Sequence, residues 1–322
     1  MTYRHITFAF AFALLCSAAA APAVAEPRAV IELFTSQGCS SCPAADKVLG
    51  ELAADPSLVT MSLAVDYWDY LGWKDTLALH GHSDRQRAYA AARGDREVYT
   101  PQVVVNGVLH VLGSDKTAIE NAIAQTRRNP SVLSLPVTVS VADGKVTVNV
   151  PVAHGEFRSA EVWLCPISKK VSVQIGRGEN HNQTLTYHNV VRRWIKLGDW
   201  NGQAQTFSVP VSDIPKGDYT LKDIDQLDVV VQNGAAGKPG PILGTASTAC
   251  CGATTNLKIE TQNKNRAGFS RPEGIRGLNR TRNSTGPADR TPGGWGAEES
   301  GARTGPGLEA TTKLSQSRVT GD

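Results

Sequence analysis

Apolar residues along the chain fall into regimes of different period, and each regime predicts its own elements. Residues 6–20 form an apolar run without a charge. Residues 29–35 read as a short buried strand and 58–65 as a second. Between them Ala45, Val48, Leu49 and Leu52 recur at helical spacing, with Pro43 in the first turn, where proline is tolerated. Strand, helix and strand of these lengths predict a βαβ unit with parallel strands. Residues 98–112 read as two strands joined at Asn106-Gly107, a dipeptide suited to a tight hairpin. Helices are expected over 83–93, capped by Ser83, and from Ser114-Asp115 to about Arg128.

From Leu133 to Leu243 the period becomes two. A hairpin is expected from 135–141 and 145–152 around Ala142-Asp143-Gly144. Further strands are expected at 160–166, 171–175, 183–191 with a continuation over 192–197, 205–211 and 227–232. So many strands without a helical pattern predict a β-sandwich, a fold from which no function follows by itself. Beyond Gly252 large apolar residues are sparse and follow no period, so the segment cannot offset the entropy of ordering its backbone.

Composition changes this picture only at the ends. With 41% hydrophobic and 20% charged residues, the 322-residue chain is neither a polytopic membrane protein nor disordered throughout. Its formal charge of +3 sits in the terminal segments, and residues 26–251 carry a balance of −2. The core has no basic stripe, which argues against nucleic acid as a partner. Arg4 and His5, the apolar run and Ala23-Val24-Ala25 read as a secretory signal peptide over 1–25. Its apolar run is too short to span a bilayer, so no stable membrane insertion is expected after cleavage. A periplasmic or secreted location follows, where disulfides persist.

The chemistry concentrates at Gly38-Cys39-Ser40-Ser41-Cys42-Pro43, between the first strand and its helix. A thiolate there is favoured by the exposed N–H groups of a helix N-terminus, and the second cysteine can attack a mixed disulfide formed by the first. Such spacing serves redox and metal sites alike; the strand before and helix after it favour redox. No second pair completes a four-thiolate zinc site, and no metal or other cofactor is assigned.

Order of elements and motif position resemble a thioredoxin fold. The stretch 26–249 resembles a secreted bacterial family, domain of unknown function 1223. The matching segments are Glu32-Leu33-Phe34-Thr35-Ser36-Gln37-Gly38-Cys39-Ser40-Ser41-Cys42-Pro43, Val65-Asp66-Tyr67-Trp68-Asp69 and Gly178-Glu179-Asn180. The expected fold is therefore an α/β thioredoxin-like domain over 26–130, which the resemblance implies, then the all-β sandwich-like domain read from the period over 131–249, with a disordered C-terminal tail over 250–322 outside the resemblance. The resemblance implies Cys39 as an exposed nucleophile and Cys42 as the buried resolving thiol. Pro101 would be held in cis after Thr100, whose backbone would meet an extended substrate chain. Glu32, on the first strand, would be a proton relay or a strand-end glutamate. Ser40-Ser41 leaves the direction of electron flow open.

Trp68, Tyr70 and Trp73 lie in an aromatic cluster that either forms a substrate platform beside the cysteines or anchors its own loop. His80-Gly81-His82 is either a metal-binding pair with the cysteines or a polar turn before a helix. The segment 176–182 is either a hairpin loop or a docking surface. Cys165 is expected buried; Cys250 and Cys251 can pair with it or stay free. Two functions compete. One is extracytoplasmic thiol–disulfide oxidoreduction with protein thiols or disulfides as partners. The other is a non-enzymatic secreted binding module with a static structural disulfide.

Overall fold

The computed structural model describes residues 27–154, 156–235 and 237–250. The expected signal peptide and, apart from Cys250, the expected tail lie outside them. β1 (Ala29–Thr35), α1 (Cys42–Leu52) and β2 (Leu58–Ala64) form a parallel unit, in register from Ala29 opposite Leu58 to Thr35 opposite Ala64. α2 (His80–Arg93) begins at His80 rather than Ser83; Ser83 is buried within it and donates to Asp66 Oδ1. β3 (Gln102–Val105) and β4 (Leu109–Leu112) form the hairpin. Its corner, Asn106 at φ 53° and Gly107 at φ 70°, takes the left-handed backbone that this dipeptide tolerates. α3 (Lys116–Thr126) is capped by Asp115, whose carboxylate accepts the Ala118 N–H at 2.9 Å.

The second half supplies β5 (Thr138–Ala142), β6 (Lys145–Val150), β7 (Ala160–Gln174), β8 (Thr184–Val191), β9 (Ile195–Trp200), β10 (Gln205–Pro210), β11 (Gln226–Ala235) and β12 (Lys238–Ala249). Two expected strands fuse into β7, while the continuation over 192–197 becomes a separate strand on its neighbour. No strand is expected from the sequence over 238–249, where glycines and prolines are frequent; β12 pairs there with β11, with register shifts around Gln232.

The expected fold class is overturned. There is no helix-flanked thioredoxin-like domain followed by a separate all-β sandwich-like domain. A single mixed nine-stranded sheet runs β12-β11-β7-β8-β2-β1-β3-β4, with β9 on β7, and a three-stranded sheet β10-β6-β5 accompanies it. The halves join where β2 meets β8 in parallel, Ser62 opposite Val190. Every residue of β2 is buried, and a buried strand cannot leave its edge groups unpaired. β8 covers that edge, and Asn189 adds a side-chain bond to the Thr60 hydroxyl at 2.7 Å. Period alone reports which face of a strand is apolar, not which strand lies along its edge.

Alternation along β1 sorts the core. Ile31 and Leu33 face α1 and α3, packing with Ala45, Leu49, Ile119 and Ile123. Val30 and Phe34 face α2, packing with Tyr89, Met61 and Leu63. A third core forms between β6 and the large sheet, from Val146 and Val148 with Val162, Leu164, Val229 and Val231.

Candidate functional site

Cys39 and Cys42 are joined in a disulfide with Cα atoms 5.4 Å apart. Cys42 is the first residue of α1, followed by Pro43, so the bond closes at the N-terminal end of the helix. Cys39 donates its N–H to Ser36 O, and Cys42 to Cys39 O, both at 3.2 Å. Cys42 is buried as expected, at 0% exposure, but Cys39 is only 1% exposed, while Ser40 and Ser41 between them face solvent. In this oxidised state the sulfur expected at the surface is covered.

Behind the disulfide stands Asp46, one helical turn beyond Cys42 and buried on the same face of α1. Helical side chains lean toward the preceding turn, which carries this carboxyl toward Cys42. Its Oδ2 accepts the Thr35 hydroxyl at 3.1 Å, and its Oδ1 has no hydrogen-bond partner. Burial, with Asp75 adding to it, pushes its pKa up to about 8 against the pull of Thr35. The Tyr187 hydroxyl, equally buried and without a partner, is pushed above its ordinary range by burial and then by Asp46 and Asp75.

The turn before Cys39 is held from two directions. Asp75 is buried and accepts the N–H groups of Gln37 at 2.7 Å and Leu77 at 2.8 Å. Burial pushes Asp75 up to about 6 in spite of these bonds. From the other half of the chain, the loop between β7 and β8 reaches the same turn. Asn180, 1% exposed, donates both amide hydrogens, to Gln37 O at 3.0 Å and Cys39 O at 2.9 Å. Glu179 accepts the Ser40 N–H at 3.0 Å. Replacing Asn180 with alanine removes both bonds, leaving Cys39 O with only the Cys42 N–H, and should cost about 1–3 kcal/mol of stability. Denaturant midpoints measure it; a loss within the scatter of surface substitutions would mean that the loop does not hold the turn.

The aromatic residues anchor this arrangement. Trp73 donates its indole N–H to Gln37 Oε1 at 2.8 Å and packs on Gly176. A Cβ at Gly176 would come within 2.7 Å of the Trp73 ring, so close approach requires glycine there. Trp68 donates to the Thr100 hydroxyl at 2.9 Å and lies against Gly38. Tyr70 stacks on Trp68 at 6.5 Å between ring centroids and is 78% exposed. The Thr100–Pro101 bond is cis. Pro101 is buried and lies with Ala45 of α1 against the open side of Gly113. Cys39, Cys42, Trp68, Trp73, Thr100 and Pro101 are thus gathered around one end of α1.

Glu32 is placed elsewhere. It shares the α2 face of β1 with Val30 and Phe34, the face turned away from α1. There it is fully buried and bonded to Arg85 at 2.6 Å and to the Tyr89 hydroxyl at 2.6 Å. His80 is exposed and paired with Asp66; His82 is buried with Nδ1 on Ala64 O at 3.0 Å. Among the described residues no group of three or more His, Cys, Asp or Glu side chains could hold a metal ion. Cys165 carries a free thiol, buried between the sheet and α2, and burial raises its pKa well above the ordinary value. Cys250 is buried in the β6 core; Cys251 lies outside the described residues.

Asp46, Asp75, Glu179 and Asn180 went unassigned in the sequence. A carboxylate at the fourth position after Cys42, on an otherwise apolar helix face, is a signal that could have exposed Asp46. Glu179 and Asn180 lie in the segment 176–182, offered in the sequence as a docking surface, and it does dock on the cysteine turn; for Asp75 only spatial proximity reveals the role.

Fold and site together define an α/β protein whose single mixed sheet carries a disulfide at a strand-to-helix turn. The chain belongs to the family described as a protein of unknown function (DUF1223), whose model matches residues 30–231. It is similar to a protein from Agrobacterium tumefaciens known from an X-ray crystal structure. The two share 32% identity and a TM-score of 0.61, over 72% of this chain and 97% of that one. HBP35 of Porphyromonas gingivalis aligns at 12% identity and a TM-score of 0.47, over 74% of this chain and 80% of that one. No curated protein matches the chain. No helix among the described residues is long and apolar enough to cross a membrane.

Proposed function

We propose that this protein exchanges disulfides with protein partners outside the cytoplasm. The observation that carries the reading is the Cys39–Cys42 disulfide closed at the N-terminus of α1, with the unpartnered Asp46 carboxyl oxygen one turn behind it. A partner thiolate attacks Cys39 Sγ and forms a mixed disulfide. The Cys39–Cys42 bond breaks, and its electron pair leaves on Cys42 Sγ. Asp46, protonated at neutral pH with its pKa near 8, supplies the proton that turns this sulfur into a thiol. In the reverse direction the Asp46 carboxylate takes that proton back as Cys42 attacks. Trp68, Trp73, Thr100 and Pro101 border the cysteines and would meet the partner chain.

The test is trapping in the full-length protein. Cys42→Ser should accumulate mixed disulfides through Cys39, visible on non-reducing gels and reversed by a reductant. A Cys42→Ser protein that traps nothing from extracytoplasmic extract sinks the proposal.

A second reading, the static disulfide of a binding module, is favoured by the burial of both cysteines. The reduction potential separates the two. A value below about −300 mV belongs to a structural disulfide, and a higher one to a working couple.

A further inference from the structure

Two carboxylates charged at neutral pH are bonded to the turn that carries Cys39. Glu179 sits on the N–H of Ser40, the residue next to Cys39, and Asp75 on the N–H of Gln37. Asp46, one turn beyond Cys42, is protonated at neutral pH and adds no charge in the oxidised state. Hydrogen bonds from the Ser40 side chain and N–H hold the Glu179 carboxyl below its ordinary range, so it is charged at neutral pH. Lys47, Lys74 and Arg177 are close to these acids in sequence, yet none forms an ion pair among the described residues. Strongly oxidising cysteine pairs have the opposite surroundings. Their nucleophilic thiolate is stabilised by positive charge and free N–H groups, which favours the reduced form. Here the amide beside Cys39 is already engaged, and the group that engages it is an anion.

We propose that the Glu179 carboxylate, held at the Ser40 amide by the β7–β8 loop, disfavours the Cys39 thiolate and makes the pair an electron donor. The partner class is then a protein disulfide to be reduced rather than a dithiol to be oxidised. This rests on the redox reading above and assigns its direction.

In the reduced pair, Cys39 loses its proton to water, and its thiolate attacks one sulfur of the partner disulfide. That bond breaks, and the electron pair leaves on the partner's other sulfur, which takes a proton from water. Asp46 releases its own proton to water, and its carboxylate then takes the proton of Cys42 as Cys42 attacks Cys39 Sγ. The partner's remaining sulfur is expelled and protonated from water. The partner gains two electrons and two protons as two thiols; the Cys39–Cys42 disulfide is restored. An external dithiol, itself oxidised to a disulfide, returns the pair to its reduced form.

Glu179 is a positioning residue acting through Cys39, and Glu179→Gln separates its charge from its hydrogen bond. The glutamine carbonyl still accepts the Ser40 N–H, and the side chain is exposed, so folding is preserved. The experiment follows alkylation of Cys39 by iodoacetamide against pH in the reduced full-length protein. The native thiol should titrate at or above the ordinary cysteine value of about 8.5. Glu179→Gln should lower this by about half a unit to one unit, speeding alkylation near neutral pH about threefold to tenfold. Higher ionic strength should move the native profile toward the variant and leave the variant in place. At alkaline pH the equilibrium with glutathione should shift toward the dithiol in the variant by about threefold. A native Cys39 that titrates below neutrality, or profiles identical in the two proteins, overturns the proposal. Success of Cys42→Ser trapping with no Glu179 effect removes this inference alone. Failure of trapping with the Glu179 shift intact removes the redox reading and leaves the thiol tuning.

Discussion

Replacing Arg85 by alanine is expected to cost about 3–5 kcal/mol of folding stability, because it leaves a buried carboxylate without its counter-charge. Glu32 is fully buried on β1, and Arg85 from α2 reaches it at 2.6 Å with a side chain only 11% exposed. The same guanidinium donates to the Tyr89 hydroxyl at 2.7 Å and to Gln232 Oε1 on β11 at 2.9 Å. It also lies over the Trp194 ring at 4.1 Å from the centroid. Gln232 in turn donates to Tyr89 and to Gly240 O, both at 2.8 Å. One cation therefore ties α2 to strands from both halves of the sheet. Urea titration of the single variant measures the loss. A companion double variant, Arg85→Met with Glu32→Leu, should recover most of it, since two apolar side chains need no partner. A single-variant loss below about 1 kcal/mol, the range of surface pairs, would show that Glu32 is solvated after all.

Asp46→Asn is expected to act in the opposite direction on stability. The folded protein holds the Asp46 proton to about pH 8, whereas the group's ordinary value is 3.8. Stability is therefore complete below the ordinary value and is lost as pH rises through the folded one. The difference corresponds to roughly 6 kcal/mol at most. Asparagine cannot ionise, and its carbonyl still accepts the Thr35 hydroxyl. Between about pH 5 and about pH 8.5 the denaturant midpoint should fall much further for the native protein than for the variant, in which Asp75 and Asp228, both raised to about 6, still titrate. His82 works against this slope only at acid pH, since burial lowers its pKa to about 4 and its stability is lost as pH falls from 6.5. A native protein as stable at the higher pH as the Asp46→Asn variant would mean that Asp46 is ionised and solvated. The gain should come with slower chemistry: reduction of the disulfide by a dithiol should slow about tenfold or more and lose its dependence on a group near pH 8. A buried acid that costs stability one turn along the helix from a disulfide is the usual trade between stability and activity.

Legibility of the fold divided along physical lines. β1, α1, β2, the Asn106-Gly107 hairpin and α3 were readable because each is set by local period, turn chemistry and a cap. β12 was not, because its glycines and prolines imitate a turn while its neighbour β11 supplies the pairing that overrides them. α2 starts at His80 because Ser83 is engaged by Asp66 from a loop rather than by its own helix end. The cysteine pair and Pro101 were found in the sequence. The covering of Cys39 was not, since Asn180 is separated from it by 141 positions.

By itself the sequence determined the strand–helix–strand unit, the cysteine pair at its turn and the alternation of the later strands, all consequences of interactions within a few residues. Only the tertiary structure decided that strands of both halves share one large sheet, that Glu32 faces Arg85 and not the cysteines, and that Asp75 and Glu179 reach the cysteine turn from distant segments. Those choices depend on which buried edge and which buried charge must find a partner, and a partner can lie anywhere along the chain.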